Sequence, residues 1–181
     1  SVDTPDQLRR LTGDLRDAVG RDAPVMVDQE GGRVQRLRAP HWQDWDPPFD
    51  TVARAATTTA AAAVMKARAM VIGAELMAVG IDANCAPVAD VARDATHPFL
   101  RNRCYGSDAE TVTQIARAVA DGFLAAGVQP VIKHMPGHGL SHVDTHHDLP
   151  TVDVAPDDLA RIDFAPFRAL AQKIIANLFN G

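Results

Sequence analysis

Apolar residues follow two patterns along this chain, and the two patterns alternate. One repeats every three to four positions, as in an amphipathic helix, and the other is a short unbroken apolar run, as in a buried strand. Caps and glycines mark several helix ends. The predicted order begins with helix 4–20, strand 24–27, helix 57–80, and a strand followed by a loop within 81–91, where Pro87 limits the strand. It continues with a helix opened by a capping box at 107–110 and closed by Gly127, strand 129–133, helix 157–170 interrupted near Pro166, and strand 173–179. Long loops are predicted at 39–50 and 134–150.

The alternation of helices and strands predicts an α/β fold with a parallel sheet and crossover helices. A (β/α)₈ TIM-barrel type is favoured over a doubly wound sheet, because polar residues follow the predicted strands at Asp28, Asp90 and Lys133. The chain has no glycine-rich nucleotide-binding loop. Only four strands are predicted, whereas a whole barrel needs about 250 residues. We therefore expect residues 1–181 to form one partial barrel domain, with about half to two-thirds of the barrel present.

Composition and charge narrow the function classes. The net charge of −5 disfavours nucleic-acid binding, which usually needs a basic face. No apolar run reaches the roughly 18 residues of a membrane span, and no basic-then-apolar stretch of this sequence marks export. The cysteines Cys85 and Cys104 are either small buried residues or free thiols of a reducing compartment. We expect a cytoplasmic protein. Because the chain begins just before a predicted helix, the sequence is also compatible with a further segment before Ser1.

The segment at 28–36 carries two carboxylates, two glycines and two arginines directly after a predicted strand. The glycines would let the backbone turn tightly beside a ligand. Asp28 can accept hydrogen bonds from sugar hydroxyls and Arg36 can donate to oxygens, but an ion pair at the rim of the fold is an equal alternative. Arg103, just before the helix at 107–127, is either a ligand contact or an exposed or helix-terminal arginine.

Five of the seven histidines lie between positions 134 and 147. Four of them are spaced four apart and would share one face of a helix, which permits a metal-site hypothesis. Pro136 and the glycines around it disfavour a helix there. Acid–base chemistry is the alternative: an aspartate such as Asp144 can orient the ring of His146, which titrates near neutrality. A plain surface pair is equally compatible with that spacing.

Four stretches together resemble the bacterial N-acetylglucosaminidase branch of the family 3 glycoside hydrolases. They are DQEGGRVQR at 28–36, IDANCAPVADV at 81–91, KHMPGHG at 133–139 and DTH at 144–146, in the family's order, and the similarity covers roughly residues 4–172. The resemblance implies a cytoplasmic barrel enzyme of peptidoglycan recycling, with no metal or other cofactor. Its partners would be cell-wall saccharides that contain N-acetylglucosamine.

The resemblance also implies roles for single residues. His146 would be the catalytic acid and base of a retaining mechanism, with Asp144 as its partner carboxylate. The sugar-binding residues would be Asp28, Arg36, Arg103, Lys133 and His134.

Some family features do not match this chain. The family's nucleophile is an aspartate in an S-D-D-type segment downstream of the DTH loop, and no such segment occurs before Gly181. The first strand and its leading helix are not found, the ending KIIANLFNG differs from the family's next strand, and Arg101 stands where a small residue is expected. A sugar-binding fragment without catalysis and a metal-dependent hydrolase therefore remain alternative hypotheses.

The missing nucleophile leads to a first prediction. The 181-residue chain alone should not hydrolyse para-nitrophenyl N-acetyl-β-glucosaminide, whereas the longer parent protein should, because the covalent step needs an attacking carboxylate. Release of nitrophenol is the measurement. Turnover by the short chain that disappears in the variant His146→Ala would contradict this expectation.

Overall fold

The long helices and the strands of the parallel sheet follow one another along the chain in the order that the apolar pattern predicts, with shorter elements between them. The computed structural model describes residues 2–142 and 151–171. Within them lie α1 Pro5–Val19, β1 Met26–Val27, β2 Gln29–Gly31, β3 Val34–Gln35, α2 Pro48–Ala53, α3 Thr58–Met77, β4 Ala83–Asn84, α4 Pro98–Arg101, α5 Ala109–Ala125, β5 Gln129–Pro130 and α6 Pro156–Arg161. A further helical stretch covers 165–171.

The central sheet is parallel and has the strand order β1-β4-β5. Ala83 pairs with Met26 on one side and with Gln129 on the other, and an isolated parallel bridge joins Val88 to Lys133 further along. The helices α3 and α5 connect these strands, as crossovers of parallel strands do. The predicted α/β class with a parallel sheet is thus confirmed. The carboxyl ends of all three strands lie at one edge, so the residues that follow them converge.

The core lies between the sheet and the two long helices. Ile72 and Leu76 of α3 and Ile115 and Phe123 of α5 are almost completely buried. The two helices approach closely at Gly122, where an added Cβ would lie 2.5 Å from the backbone oxygen of Lys66. Among the described residues no helix is long and apolar enough to cross a membrane.

The predicted helix termini are confirmed for α1 but not for the start of α5. Thr4 caps α1 by accepting a hydrogen bond from the Gln7 amide at 3.2 Å, and Gly20 ends it in the left-handed region. At the start of α5 the expected capping box at Ser107 is wrong by one residue. Asp108 is the cap, and its carboxylate accepts from the Thr111 amide at 2.8 Å. Aspartate caps a helix as well as serine does, which allows either register.

The interruption predicted near Pro166 in the helix at 157–170 is confirmed: the helix breaks at 162–164, and Pro166 stands in the first turn of 165–171, where a missing amide is tolerated. Several other elements differ from their predicted forms. The loop predicted at 39–50 already contains the start of α2 at Pro48. The antiparallel hairpin of β2 and β3 was not predicted. The strand predicted at 173–179 lies outside the described residues.

The close approach of α3 and α5 gives a prediction about stability. Gly122→Ala should lower the free energy of unfolding by about 1–3 kcal/mol, because the new methyl group must displace backbone. Gly13→Ala in α1 is the matched control, since nothing lies within 4 Å of its Cβ position. That control should gain up to about 1 kcal/mol from helix propensity. Urea unfolding measures both changes, and equal shifts of the two variants in one direction would contradict the packing argument.

Candidate active site

Residues that follow the parallel strands enclose one cavity of about 460 Å³ at the carboxyl edge of the sheet. A cavity of this size suits a sugar ring with a substituent. The polar part of its wall comes from the β1–β2 junction, the end of β3, the turn after α4 and the end of β5. The polar residues that line it include Asp28, Arg36, Arg103, Lys133, His134 and His138.

Glu30 lies under this wall and binds two of its cations. Its side chain is only 2% exposed. Its carboxylate accepts a bidentate pair from Arg103, with Nε at 2.9 Å and Nη2 at 2.8 Å, and Lys133 Nζ lies 2.5 Å from Oε1. A buried carboxylate must be paired to avoid a large desolvation cost. Glu30 therefore fixes the positions of both cations beneath the cavity.

Asp28 faces the cavity and contacts the same lysine. Its Oδ1 accepts from Lys133 Nζ at 2.7 Å, and its Oδ2 lies 3.7 Å from Arg36 Nη2. Partial burial raises the pKa of Asp28, but the hydrogen bond to Lys133 and the charges of Lys133, Arg36 and Arg103 more than offset it, so the net pKa is lowered. Asp28 is therefore an ionised acceptor, 39% exposed, that sugar hydroxyls can reach.

His134 is oriented from both sides. Its Nδ1 lies 2.6 Å from Asp90 Oδ2, and its Nε2 lies 3.2 Å from Arg103 Nη2. A guanidinium can only donate, so Nε2 accepts and Nδ1 carries the proton that it donates to Asp90. The other oxygen of Asp90 accepts from the backbone amides of His134 at 3.3 Å and His138 at 2.7 Å. Asp90 is completely buried and sets the position of this loop.

These contacts form one connected network with balanced charge. Three carboxylates meet three cations, and the imidazole of His134 is neutral in this hydrogen-bonding pattern. Balance of this kind is what permits several ionised groups to lie together in a largely buried place. The charged members are Asp28, Glu30, Asp90, Arg36, Arg103 and Lys133.

Apolar side chains also line the cavity. Val34, Phe99, Leu100 and Val131 line it, and the Phe99 ring lies 5.5 Å from the guanidinium carbon of Arg103. Apolar side chains of this kind can contact the C–H faces of a sugar or the methyl of an acetamido group. The cavity is therefore amphipathic, as a pyranose is.

Two further titratable groups line the cavity. Burial raises the pKa of the Cys85 thiol, which keeps it protonated and poorly nucleophilic at neutral pH. Burial lowers the pKa of His138, an effect that the nearby Asp90 carboxylate opposes and the neighbouring Arg103 guanidinium supports, so His138 is neutral at pH 7.

The structure brings together all five residues predicted to bind sugar. Asp28, Arg36, Arg103, Lys133 and His134 line the same cavity. The exposed alternative for Arg103 is wrong, because its buried guanidinium pairs with a carboxylate, and the rim ion pair expected as the alternative for Asp28 exists but faces the cavity. Their roles in binding stay predictions. The predicted acid–base pair, Asp144 and His146, lies outside the described residues.

Two functional residues were missed by the sequence reasoning. Glu30 stands two positions after Asp28, and side chains two apart in an extended segment point to the same side, which was the available signal. Asp90 was noted only as following a strand. Its signal was a carboxylate inside an otherwise apolar stretch, because buried acids are rare unless they are paired.

The metal hypothesis finds no support in the described part of the chain. Residues 134–142 are not helical, so their histidines do not stack on one face. Within 2–142 and 151–171 no group of three or more histidines, cysteines or carboxylates could hold an ion.

This chain is similar to a known protein family and to several curated proteins. The glycosyl hydrolase family 3 N-terminal domain matches residues 1–178. The chain is 38% identical over 166 residues to a beta-hexosaminidase of Xylella fastidiosa, covering 90% of this chain and 48% of that protein. It is 36% identical over 167 residues to the beta-hexosaminidase LpqI of Mycobacterium tuberculosis, covering 90% and 42%.

Solved structures of other proteins are also similar to this chain. NagZ of Neisseria gonorrhoeae superposes with a TM-score of 0.86 at 29% identity, covering 95% of this chain and 50% of that one. A family 3 beta-N-acetylglucosaminidase of Paenibacillus gives 0.82 at 33% identity, covering 94% and 32%. The Neisseria protein has also been solved with N-trifluoroacetyl-D-glucosamine. The chain spans about half the length of the curated relatives it matches.

The position of Glu30 generates a prediction. Glu30→Gln should lower the free energy of unfolding by about 3–5 kcal/mol, because it leaves two buried cations without their shared carboxylate. Asp46→Asn is the matched control, since it breaks an exposed pair with Arg54 and should change stability little. Urea denaturation compares them. Equal small losses in both variants would show that Glu30 does not hold the network together.

Proposed function

This chain belongs to family 3 of the glycosyl hydrolases through the N-terminal domain of that family, and on that premise we propose that the whole protein removes terminal β-linked N-acetylglucosamine from saccharides. The names of its relatives support the reaction class, since they are beta-hexosaminidases and beta-N-acetylglucosaminidases. The observation that carries the proposal is the amphipathic cavity, which is lined both by fixed hydrogen-bond donors and acceptors and by apolar side chains.

The network provides what a neutral, hydroxyl-rich ring requires. Asp28 accepts hydrogen bonds from hydroxyl groups while Lys133 and Arg103 donate to ring substituents. Because each of these groups is already paired within the protein, it is held in place before the sugar arrives. Binding then needs little ordering of side chains, which favours affinity.

The acid–base step is assigned to His146, with Asp144 as the carboxylate that orients its ring. In the proposed retaining mechanism a carboxylate attacks the anomeric carbon while the bond to the leaving oxygen breaks, and the protonated imidazole of His146 gives its proton to that oxygen. Water then attacks the glycosyl–enzyme ester, and His146 takes a proton from it. The attacking carboxylate would be an aspartate in a part of the whole protein beyond residues 1–181.

The proposal includes finer points about fold, substrate and place. We propose that residues 1–181 form part of a (β/α)₈ barrel, which the three-stranded parallel sheet and its crossover helices support. The substrates would be peptidoglycan fragments, and the cytoplasm remains the predicted location. The rival function is sugar binding without hydrolysis, and the experiment below separates the two.

The experiment replaces His146 in the whole protein. His146→Ala should reduce kcat for para-nitrophenyl N-acetyl-β-glucosaminide by about 10²- to 10⁴-fold, the usual size of a general acid–base contribution. The loss should be smaller with a dinitrophenyl leaving group, because that group departs without a proton. Calorimetric affinity for N-acetylglucosamine should change much less than kcat.

The matched control is His142→Ala, which removes an exposed histidine from the same part of the chain and should leave turnover near the wild-type value. Unaltered turnover by the His146 variant would refute the assignment. Sugar binding by the wild-type protein with no turnover at all would favour the rival function.

A further inference from the structure

Arg33 directly precedes the cavity residue Val34, and its guanidinium lies over the aromatic ring of a second cavity residue, Phe99. It is an exposed residue in the turn between β2 and β3, and its guanidinium carbon lies 4.9 Å from the centre of the Phe99 ring. The same ring lies 5.5 Å from the guanidinium carbon of the buried Arg103. Because Phe99 lines the cavity, Arg33 is one aromatic ring away from the proposed sugar-binding arginine.

The charge of Arg33 is not balanced by the network. The nearby arginines Arg36 and Arg38 have carboxylates at 3.7 and 3.8 Å, in Asp28 and Asp44. Within residues 2–142 and 151–171, no carboxylate lies within 4.0 Å of the Arg33 guanidinium. Arg33 therefore carries a positive charge that no described carboxylate compensates at this distance.

Stacking on Phe99 determines how Arg33 can bind. A guanidinium held over an aromatic ring keeps its N–H edge free, and that edge fits a carboxylate with two parallel hydrogen bonds. The stacking also reduces the entropy lost when a ligand is bound. The arrangement is suited to an anionic group on whatever is attached to the sugar inside the cavity.

We propose that Arg33, supported by Phe99, binds a carboxylate on the group attached to N-acetylglucosamine, so that acidic aglycones are preferred to neutral ones. This inference rests on the proposed function and narrows its substrate class. The sugar that follows N-acetylglucosamine in peptidoglycan carries a lactyl ether, whose carboxylate is free where no peptide is attached to it, whereas the corresponding sugar in chitin is neutral. Arg33 would then select cell-wall fragments against chitin fragments.

The experiment measures a ratio in the whole protein. The two substrates are the disaccharide of N-acetylglucosamine β-linked to N-acetylmuramic acid and its neutral methyl ester. Arg33→Gln should lower the ratio of kcat/KM for acid over ester by about five- to tenfold, as expected for a partly exposed charge-assisted pair. Arg33→Lys should retain part of the ratio, because it keeps the charge but not the two parallel hydrogen bonds.

Two controls make the ratio specific. Arg10→Gln removes the same charge from the exposed face of α1 and should leave the ratio at its wild-type value. Added salt should lower the ratio in the wild-type protein and have little effect in Arg33→Gln, because salt screens an exposed ion pair. Any loss of folded protein affects both substrates equally and cancels in the ratio.

The outcomes distinguish a failure of this inference from a failure of the proposed function on which it rests. A wild-type ratio near one, or a ratio that Arg33→Gln leaves unchanged, overturns the role of Arg33 even if both substrates are cleaved. If the wild-type protein cleaves neither disaccharide, the proposed function fails, and the ratio of dissociation constants then tests Arg33 directly. An Arg33-dependent preference for the acid in binding would support the inference without the enzyme activity.

Discussion

The carboxylate of Glu30 is the point on which the polar side of the cavity depends. Arg103 reaches it from the turn after α4 and Lys133 from the end of β5, so two segments that are distant in sequence meet at one buried anion. Without that anion the two cations would repel each other in a place where water screens them poorly. Lys133 then passes the constraint on to Asp28, and Arg103 passes it on to His134. The positions of four cavity residues therefore follow from one.

Glu30 can hold this position because contacts with α3 and β4 fix the hairpin of β2 and β3 that carries it. Arg68 of α3 is 4% exposed and donates to the backbone oxygen of Glu30 at 2.8 Å. The backbone of Gln29 and the amide of Asn84 exchange two hydrogen bonds, at 2.9 and 3.0 Å, which tie the hairpin to β4. Gly31 is required here with a φ of 98°, since a Cβ would lie 1.8 Å from Arg68 Nη2. The sequence reasoning assigned that glycine to ligand approach, but the packing of Arg68 explains it.

How much could be predicted depended on whether the determining contacts are local. The helices α1, α3 and α5 were predicted because spacing, caps and terminal glycines act within a few residues. The hairpin was missed because buried polar residues such as Gln29 and Gln35 break the alternation of apolar and polar positions. Asp28 and Lys133 could be placed at strand ends, yet the partnership of Glu30 with Arg103 spans 73 positions and only the folded chain reveals it.

The charges of the network are paired with one another, whereas the charge of Arg33 is not. This difference explains how one edge of the sheet can serve two chemical tasks. A neutral sugar is best bound by groups whose charges already cancel, since no uncompensated charge then has to lose water when the ring enters. An anionic substituent requires the opposite, a cation whose donors are not already bound to a carboxylate of the protein. The ring of Phe99 contacts both Arg103, which belongs to the balanced network, and Arg33, which does not. Because Arg103 is bound to Glu30 and Arg33 is exposed in the turn between β2 and β3, the two guanidinium groups can act on different parts of one ligand.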